Sequence, residues 1–288
     1  MKKIGFLDFF LDEWHANSYP NWIRSNIAAK NRQMELAYAY AEVDKPEGLT
    51  TKQWCEQHSV EAVSSIEELV EKSDFLIILS PDHPEHHERF AQLPLQAGKP
   101  IYMDKTFSPD LASGIRIFDL ALEHRTPIFS SSALRYSAEL AQYPNELVNS
   151  RSIEFIATAG PGQFDNYSVH QLEMIVSLMG TGAKRVKSLS TSSGMLLIIE
   201  YGDGRQAVMQ QMSEAPFQVN LHLTSGGSVH INEMSQFFDR LIDSILDFFE
   251  SGKPPVVRAE TLEIMAIIEA GKEAIRQRDT WIEIEQAR

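Results

Sequence analysis

The chain has 288 residues, enough for one large or two modest domains with a sizeable core. Its composition of 43% hydrophobic, 23% charged and 9% aromatic residues excludes disordered, collagen-like and disulfide-stapled classes. Lys plus Arg is 26 against Asp plus Glu 40, a net charge of -14 with no basic stripe, which argues against nucleic acid as a partner. The single cysteine, Cys55, cannot form an intrachain disulfide and lies in a polar helical stretch, where it reads as a passive thiol. Met1-Lys2-Lys3 is followed by an apolar run that meets Asp8 and Asp12 too early for a secretory signal. Apolar runs elsewhere fall short of the roughly 18 residues of a membrane span. A soluble cytoplasmic protein, with no membrane partner, is expected.

In chain order, Ile4 to Leu7 predicts a short strand, and Pro20 a first-turn position for a helix through Trp22, Ile23 and Ile27. That start leaves Asp8 to Tyr19 as a long loop, of the kind that is commonly functional. Leu36 to Val43 predicts a second strand and Thr51 to His58 a helix. Ser65 with Glu68 resembles a capping box for the helix to Lys72. Phe75 to Leu79 is a continuous apolar run, as expected of a central parallel strand buried on both faces. A helix from Glu85 to Ala97, a strand from Pro100 to Met103, a helix from Asp110 to His124 and a strand from Pro127 to Ser130 follow. This alternation predicts a doubly wound, Rossmann-like parallel sheet, with ligands outside the carboxyl ends of its strands.

From about Arg151 the pattern changes. A strand at Ile153 to Ala157 and a helix from His170 to Leu178 precede a run of strands: 186–189, 195–201, 206–212, 219–224 and 228–231. Gly202-Asp203-Gly204 and Ser225-Gly226-Gly227 supply hairpin turns. Two helices, 234–250 and 259–276, and a strand at 281–284 close the chain. The expected fold class is therefore α/β, with a Rossmann-like nucleotide-binding domain over residues 1–131. An α+β substrate and oligomerisation domain with a mostly antiparallel open sheet is expected over 132–288. Such a sheet has a face to cover, so a homodimer or homotetramer through it is expected.

Ser80-Pro81-Asp82, His86 and the run from Gln96-Ala97-Gly98-Lys99-Pro100 to Asp104-Lys105-Thr106 resemble the stretch from the fourth strand to the Glu-Lys-Pro loop of the Gfo/Idh/MocA oxidoreductases. Arg135-Tyr136 is similar to that family's arginine-containing segment, and Asn166-x-x-x-His170 to its Asp-x-x-x-His. Gly252-Lys253-Pro254-Pro255 before a long helix also fits. The resemblance implies NAD or NADP on the first domain and a small-molecule substrate, a sugar, polyol or related hydroxy compound. It implies that Lys105 orients the substrate hydroxyl and that His170 exchanges its proton, with Asn166 standing where the family has an aspartate. It places Arg135, Tyr136 and Tyr167 at the substrate, and Asp8, Phe9, Phe10, Glu42, Asp44, Ser80, Pro81, His86 and Asp104 at the cofactor. The chemistry is consistent: a hydroxyl that loses hydride must also lose a proton, which calls for a base near neutrality and a cation beside the developing alkoxide.

One departure matters. Where the family has Gly-x-Gly-x-x-Gly, this chain reads Asp8-Phe9-Phe10-Leu11-Asp12-Glu13, which puts carboxylates where a pyrophosphate would lie. Two further readings therefore stand beside the oxidoreductase: a cofactor-free sensor or binding protein on the same fold, and a lyase or isomerase using Lys105 and His170. Histidines 83, 86 and 87 with Asp82 after the fourth strand, and Asp8, Asp12 and His15 after the adjacent first, have the donor types for a metal if the strands bring them together, but helix geometry should scatter His83 and His87, and no metal is expected.

Overall fold

A computed structural model describes residues 1–143, 152–190 and 193–286 of the chain. It divides into two compact units, Met1–Ser131 with Asp239–Val257, and Ser132–Phe238 with Arg258–Arg288.

The first unit is built on a six-stranded parallel sheet in the order β3-β2-β1-β4-β5-β6. The strands are β1 (Lys2–Asp8), β2 (Met34–Ala41), β3 (Glu61–Ala62), β4 (Phe75–Ile78), β5 (Ile101–Met103) and β6 (Ile128–Ser130). The apolar run of β4 is buried along its whole length between β1 and β5, as a central parallel strand requires. Between the strands lie α1 (Trp14–Lys30), α2 (Thr51–His58), α3 (Ile66–Lys72), α4 (His87–Gln96) and α5 (Leu111–Glu123). Their starts are fixed by side chains that accept otherwise orphaned N–H groups. Thr50 forms a reciprocal capping box with Gln53, Ser65 caps Glu68, and Asp110 caps Ser113 at 2.7 Å. The Glu68 carboxylate takes the N–H of Ser64 rather than that of Ser65, so the second half of the expected box is displaced by one residue.

Three expectations need correction. Helix α1 begins at Trp14, not near Pro20, because Glu13 caps it; Pro20 lies inside the helix, and the connection after β1 shrinks to 9–13. The two-residue β3 has no hydrophobic signature, both residues being exposed, and goes unpredicted. Helix α7 (Phe237–Ser251), expected with the second domain, packs from Asp239 onward in the first unit. There Phe249 stacks on Phe75 at 4.8 Å and Phe248 meets Phe129 edge-on at 5.0 Å. Arg32, buried at the end of α1, joins the same helix through Asp243, Asp247 and Glu250.

The second unit carries a seven-stranded sheet in the order β12-β11-β7-β10-β9-β8-β13. Its strands are β7 (Ile153–Gly160), β8 (Ala183–Ser190), β9 (Gly194–Tyr201), β10 (Gln206–Met212), β11 (Gln218–Leu223), β12 (Ser228–Ile231) and β13 (Ile282–Glu283). Only the β7–β10 pair is parallel. Helices α6 (Phe164–Met179) and α8 (Arg258–Arg276) pack closely enough that a Cβ on Gly271 would sit 2.5 Å from the Phe164 ring. Gly204, at φ 92°, closes the β9–β10 hairpin. Among the described residues, no helix is long and apolar enough to cross a membrane.

Candidate active site

In the first unit, the carboxyl ends of β1, β4 and β5 bring Asp8, Ser80, Asp104 and Lys105 to one edge of the sheet. Asp8 is 1% exposed. Its Oδ1 accepts the N–H of Phe9 at 2.7 Å and the hydroxyl of Ser80 at 2.9 Å. Its Oδ2 has no hydrogen-bond partner among the described residues. Burial, then the nearby Glu13 charge, pushes the Asp8 carboxyl well above the usual carboxylate range.

Glu13 turns its carboxylate back onto the first turn of α1, accepting the N–H of His15 at 2.7 Å and that of Ala16. Burial raises it to about 7 against the opposing pull of His15 and those two N–H groups. His15 reaches across to the buried Asp104, whose carboxylate meets its Nδ1. The His15 ring stacks on Tyr19 at 5.1 Å. Asp104 also accepts the Tyr102 hydroxyl at 3.1 Å and the backbone N–H of Lys105 at 2.8 Å. Burial alone would raise Asp104, but the charge and hydrogen bond of His15 and the Lys105 ammonium outweigh it and hold the carboxyl below its ordinary value.

Lys105 is buried at 8% exposure. Among the described residues its ammonium has long contacts, 3.4 Å to the Pro81 carbonyl and 3.6 Å to Asp82. A buried cation at a strand end has a cost that a substrate oxygen can offset.

The other residues predicted for the first domain divide by role. Phe9 stacks on His86 at 4.2 Å, and Phe10 lies edge-on to His83 at 5.5 Å, so Phe10, at a glycine position, and its neighbour Phe9 form an aromatic and imidazole wall. Glu42, just after β2, pairs with Arg89. Asp44 is taken up by the backbone N–H of Thr51, at 2.6 Å, and its hydroxyl, and so helps to start α2. His87 points inward between the Leu79 and Phe107 carbonyls. It is thus His87, and not the half-exposed His86, that the fold buries behind β4.

The metal set weighed from sequence does not come together as a whole among the described residues. Asp12 binds Asn17 and the N–H of Leu49, and His15 is committed to Asp104. A different trio, His83, Glu85 and His86, places its donor atoms within 4.8 Å of one another on a largely exposed turn.

In the second unit, His170 lies on α6 with its Nδ1 2.6 Å from the Ser132 hydroxyl. The Tyr167 and Phe217 rings meet it edge-on at 5.3 and 5.8 Å. Asn166, at the position of the family's aspartate, lies one turn earlier and is exposed. Ser132, which sequence reasoning missed, makes the contact instead. Arg135, on a short turn at Ala133–Tyr136, is engaged by Glu173 at 2.6 Å and Glu260 at 2.5 Å. Burial lowers the guanidinium and the two carboxylates more than restore it, so its pKa is raised. Its Nη2 stays without a hydrogen-bond partner among the described residues. Tyr136 adjoins it on the same turn.

No family model matches the sequence, and no curated protein matches it significantly. Solved structures do. The WlbA dehydrogenase of Bordetella pertussis, crystallised with NADH and UDP-GlcNAcA, matches with a TM-score of 0.77 at 15% identity over 99% of this chain and 98% of that one. The scyllo-inositol dehydrogenase of Lactobacillus casei matches with 0.78 at 15% identity over 98% of each. GenD2 of gentamicin A biosynthesis, in complex with NAD, gives 0.76 at 13% identity over 99% of this chain and 97% of that one. This chain has the Gfo/Idh/MocA fold.

In doubly wound folds that bind dinucleotides, the pyrophosphate lies against the N–H groups that begin a helix. Those groups are present here and already hold an anion, the Glu13 carboxylate. N–H groups of this kind suit a phosphate, but here the chain's own carboxylate takes them. On either side, Glu42 stands at the end of β2 and Ser80-Pro81 follow β4.

Proposed function

We propose that this protein is an NAD(P)-dependent oxidoreductase that moves a hydride between a nicotinamide cofactor and a carbinol carbon of a sugar, polyol or related small hydroxy compound. The observation that carries the reading is the buried Lys105 at the carboxyl end of β5, on a fold shared over nearly its whole length with dehydrogenases. Glu42 would meet the adenosine ribose, Ser80 and Pro81 would flank the nicotinamide half, and the start of α1 would meet the pyrophosphate. The cofactor, when bound, supplies the hydride acceptor or donor.

The remaining chemistry belongs to side chains. The Lys105 ammonium donates to the substrate oxygen and stabilises the alkoxide as it develops. Asp104 fixes the backbone of that lysine, and His15 in turn holds Asp104. His170 accepts the hydroxyl proton at one ring nitrogen while Ser132 orients the other. Arg135, with its remaining donor at Nη2, and Tyr136 and Tyr167 contribute to substrate recognition.

The open face of the second sheet supports a homodimer or homotetramer. Leu196, Ile198 and Val208 are only half-buried on it in the single chain. A cytoplasmic location belongs to the same reading.

The test is reduction of NAD+ or NADP+, followed by nicotinamide absorbance, across a panel of inositols, aldoses, sugar acids and nucleotide sugars. The expected result is turnover of at least one compound by the wild type, lost in Lys105→Ala. Saturable cofactor binding with no turnover of any member would contradict the substrate class.

A further inference from the structure

The turn after β1 carries its own anion. Glu13 accepts the N–H groups of His15 and Ala16, the same donors that a doubly wound fold offers to a dinucleotide pyrophosphate. A carboxylate and a phosphate cannot both use them at full charge. A second, independent feature lies beside the first. Asp8 is 1% exposed and its Oδ2 meets no hydrogen-bond partner among the described residues. An ionised oxygen in that position is costly, whereas a protonated one can donate to an incoming acceptor.

We propose that Glu13 is an internal stand-in for the pyrophosphate, and that a dinucleotide enters this turn together with one proton, which neutralises Glu13. The proposal rests on the dinucleotide-binding reading above. On entry, the phosphate oxygens take the N–H groups of His15 and Ala16. The displaced Glu13 carboxyl carries the proton and becomes a donor instead of a repelling charge.

The charged and titratable groups facing Glu13 are Asp8 from β1, Asp104 from the end of β5, and His15 and Tyr19 from α1 itself. Lys105 faces Asp104 rather than Glu13. Burial raises Glu13 to about 7, so this group changes protonation near neutrality, and burial pushes the neighbouring Asp8 in the same direction. Uptake of one proton on binding makes affinity fall about tenfold per pH unit above that range and level off below it.

ADP-ribose, which carries the pyrophosphate without the nicotinamide, is the probe. Its binding to the full chain is measured by calorimetry from about pH 6 to about pH 8.5, in buffers of different ionisation enthalpy. The expected result for the wild type is uptake of about one proton and a tenfold loss of affinity per pH unit at the alkaline end. Glu13→Gln should bind at alkaline pH about as tightly as the wild type does at acid pH, with the slope abolished. Glu13→Ser, which retains a good capping side chain, should behave alike, and His15→Gln should keep the slope. A pH-independent affinity in the wild type, or a slope kept in Glu13→Gln and lost in His15→Gln, would overturn the proposal and leave the oxidoreductase reading standing. Absence of ADP-ribose binding in the wild type and both Glu13 variants at every pH would instead remove the dinucleotide reading itself.

Discussion

The Asp104 carboxylate meets Nδ1 of His15, joining the end of β5 to the first turn of α1 beside Lys105. Its second oxygen accepts the Lys105 N–H at 2.8 Å, so one buried carboxylate sets both the α1 terminus and the lysine backbone. Sequence patterns place Asp104 and Lys105 together but give no hint that a histidine 89 residues away holds them.

Lys105→Ala should lower kcat by on the order of a hundredfold or more, because it removes the donor at the developing alkoxide. NADH affinity should change little. Steady-state kinetics with a fluorescence titration separates the two effects; unchanged kcat would remove Lys105 from the chemistry.

His170→Ala should cost a comparable factor, on the order of a hundredfold in kcat. Ser132→Ala should cost less, about tenfold, because it disturbs the orientation of the ring and spares the base. A pH–rate profile checks the assignment. The acid limb seen in the wild type should vanish in His170→Ala and shift in Ser132→Ala.

Folding stability should depend on pH through Glu13. Its folded value of about 7 lies above the ordinary 4.5, so the native chain binds a proton that the unfolded chain has released. The unfolded state therefore holds fewer protons in this window. Stability is full below about pH 4.5 as far as this group is concerned and declines as pH rises to about 7, by up to about 3 kcal/mol. Urea titrations at several pH values should show this slope in the wild type and a flatter line in Glu13→Gln, with the variant the more stable at about pH 8. Equal slopes in the two proteins would contradict the burial of Glu13.

Glu173→Gln should destabilise the second unit by about 3–5 kcal/mol, since it leaves the Arg135 guanidinium buried with one carboxylate fewer. Replacing both, as Arg135→Met with Glu173→Leu, should recover most of that loss. Chemical denaturation of the single and double variants measures it. A strictly additive double variant would show that the pair is not coupled.

Much of the fold was legible because its causes are local. The buried run of β4, the Thr50 and Asp110 caps and the hairpin glycines each act within a few residues. The start of α1 was misplaced because proline at a first turn is a common signal, whereas a glutamate that folds back to cap its own helix is not. The allocation of α7 was misread because its partners, Arg32, Phe75 and Phe129, lie more than a hundred residues earlier.

The candidate site divides in the same way. Lys105 and His170 stand out by motif, while Ser132 and His15 act through contacts of 38 and 89 residues' separation that no spacing rule reaches. The carboxylates after β1 were legible as an obstacle to a pyrophosphate. That Glu13 occupies the N–H groups of α1 depends on one side chain folding back on its own helix, which no residue pattern encodes.

The central claim, that a nicotinamide dinucleotide binds this chain, is tested most directly by titrating the purified protein with NADH and with NADPH while following nicotinamide fluorescence. Saturable binding of at least one of them is expected at about pH 6, weakening toward about pH 8. Fluorescence that does not saturate at millimolar concentrations of either cofactor, in the wild type at acid pH and in Glu13→Gln alike, would contradict it.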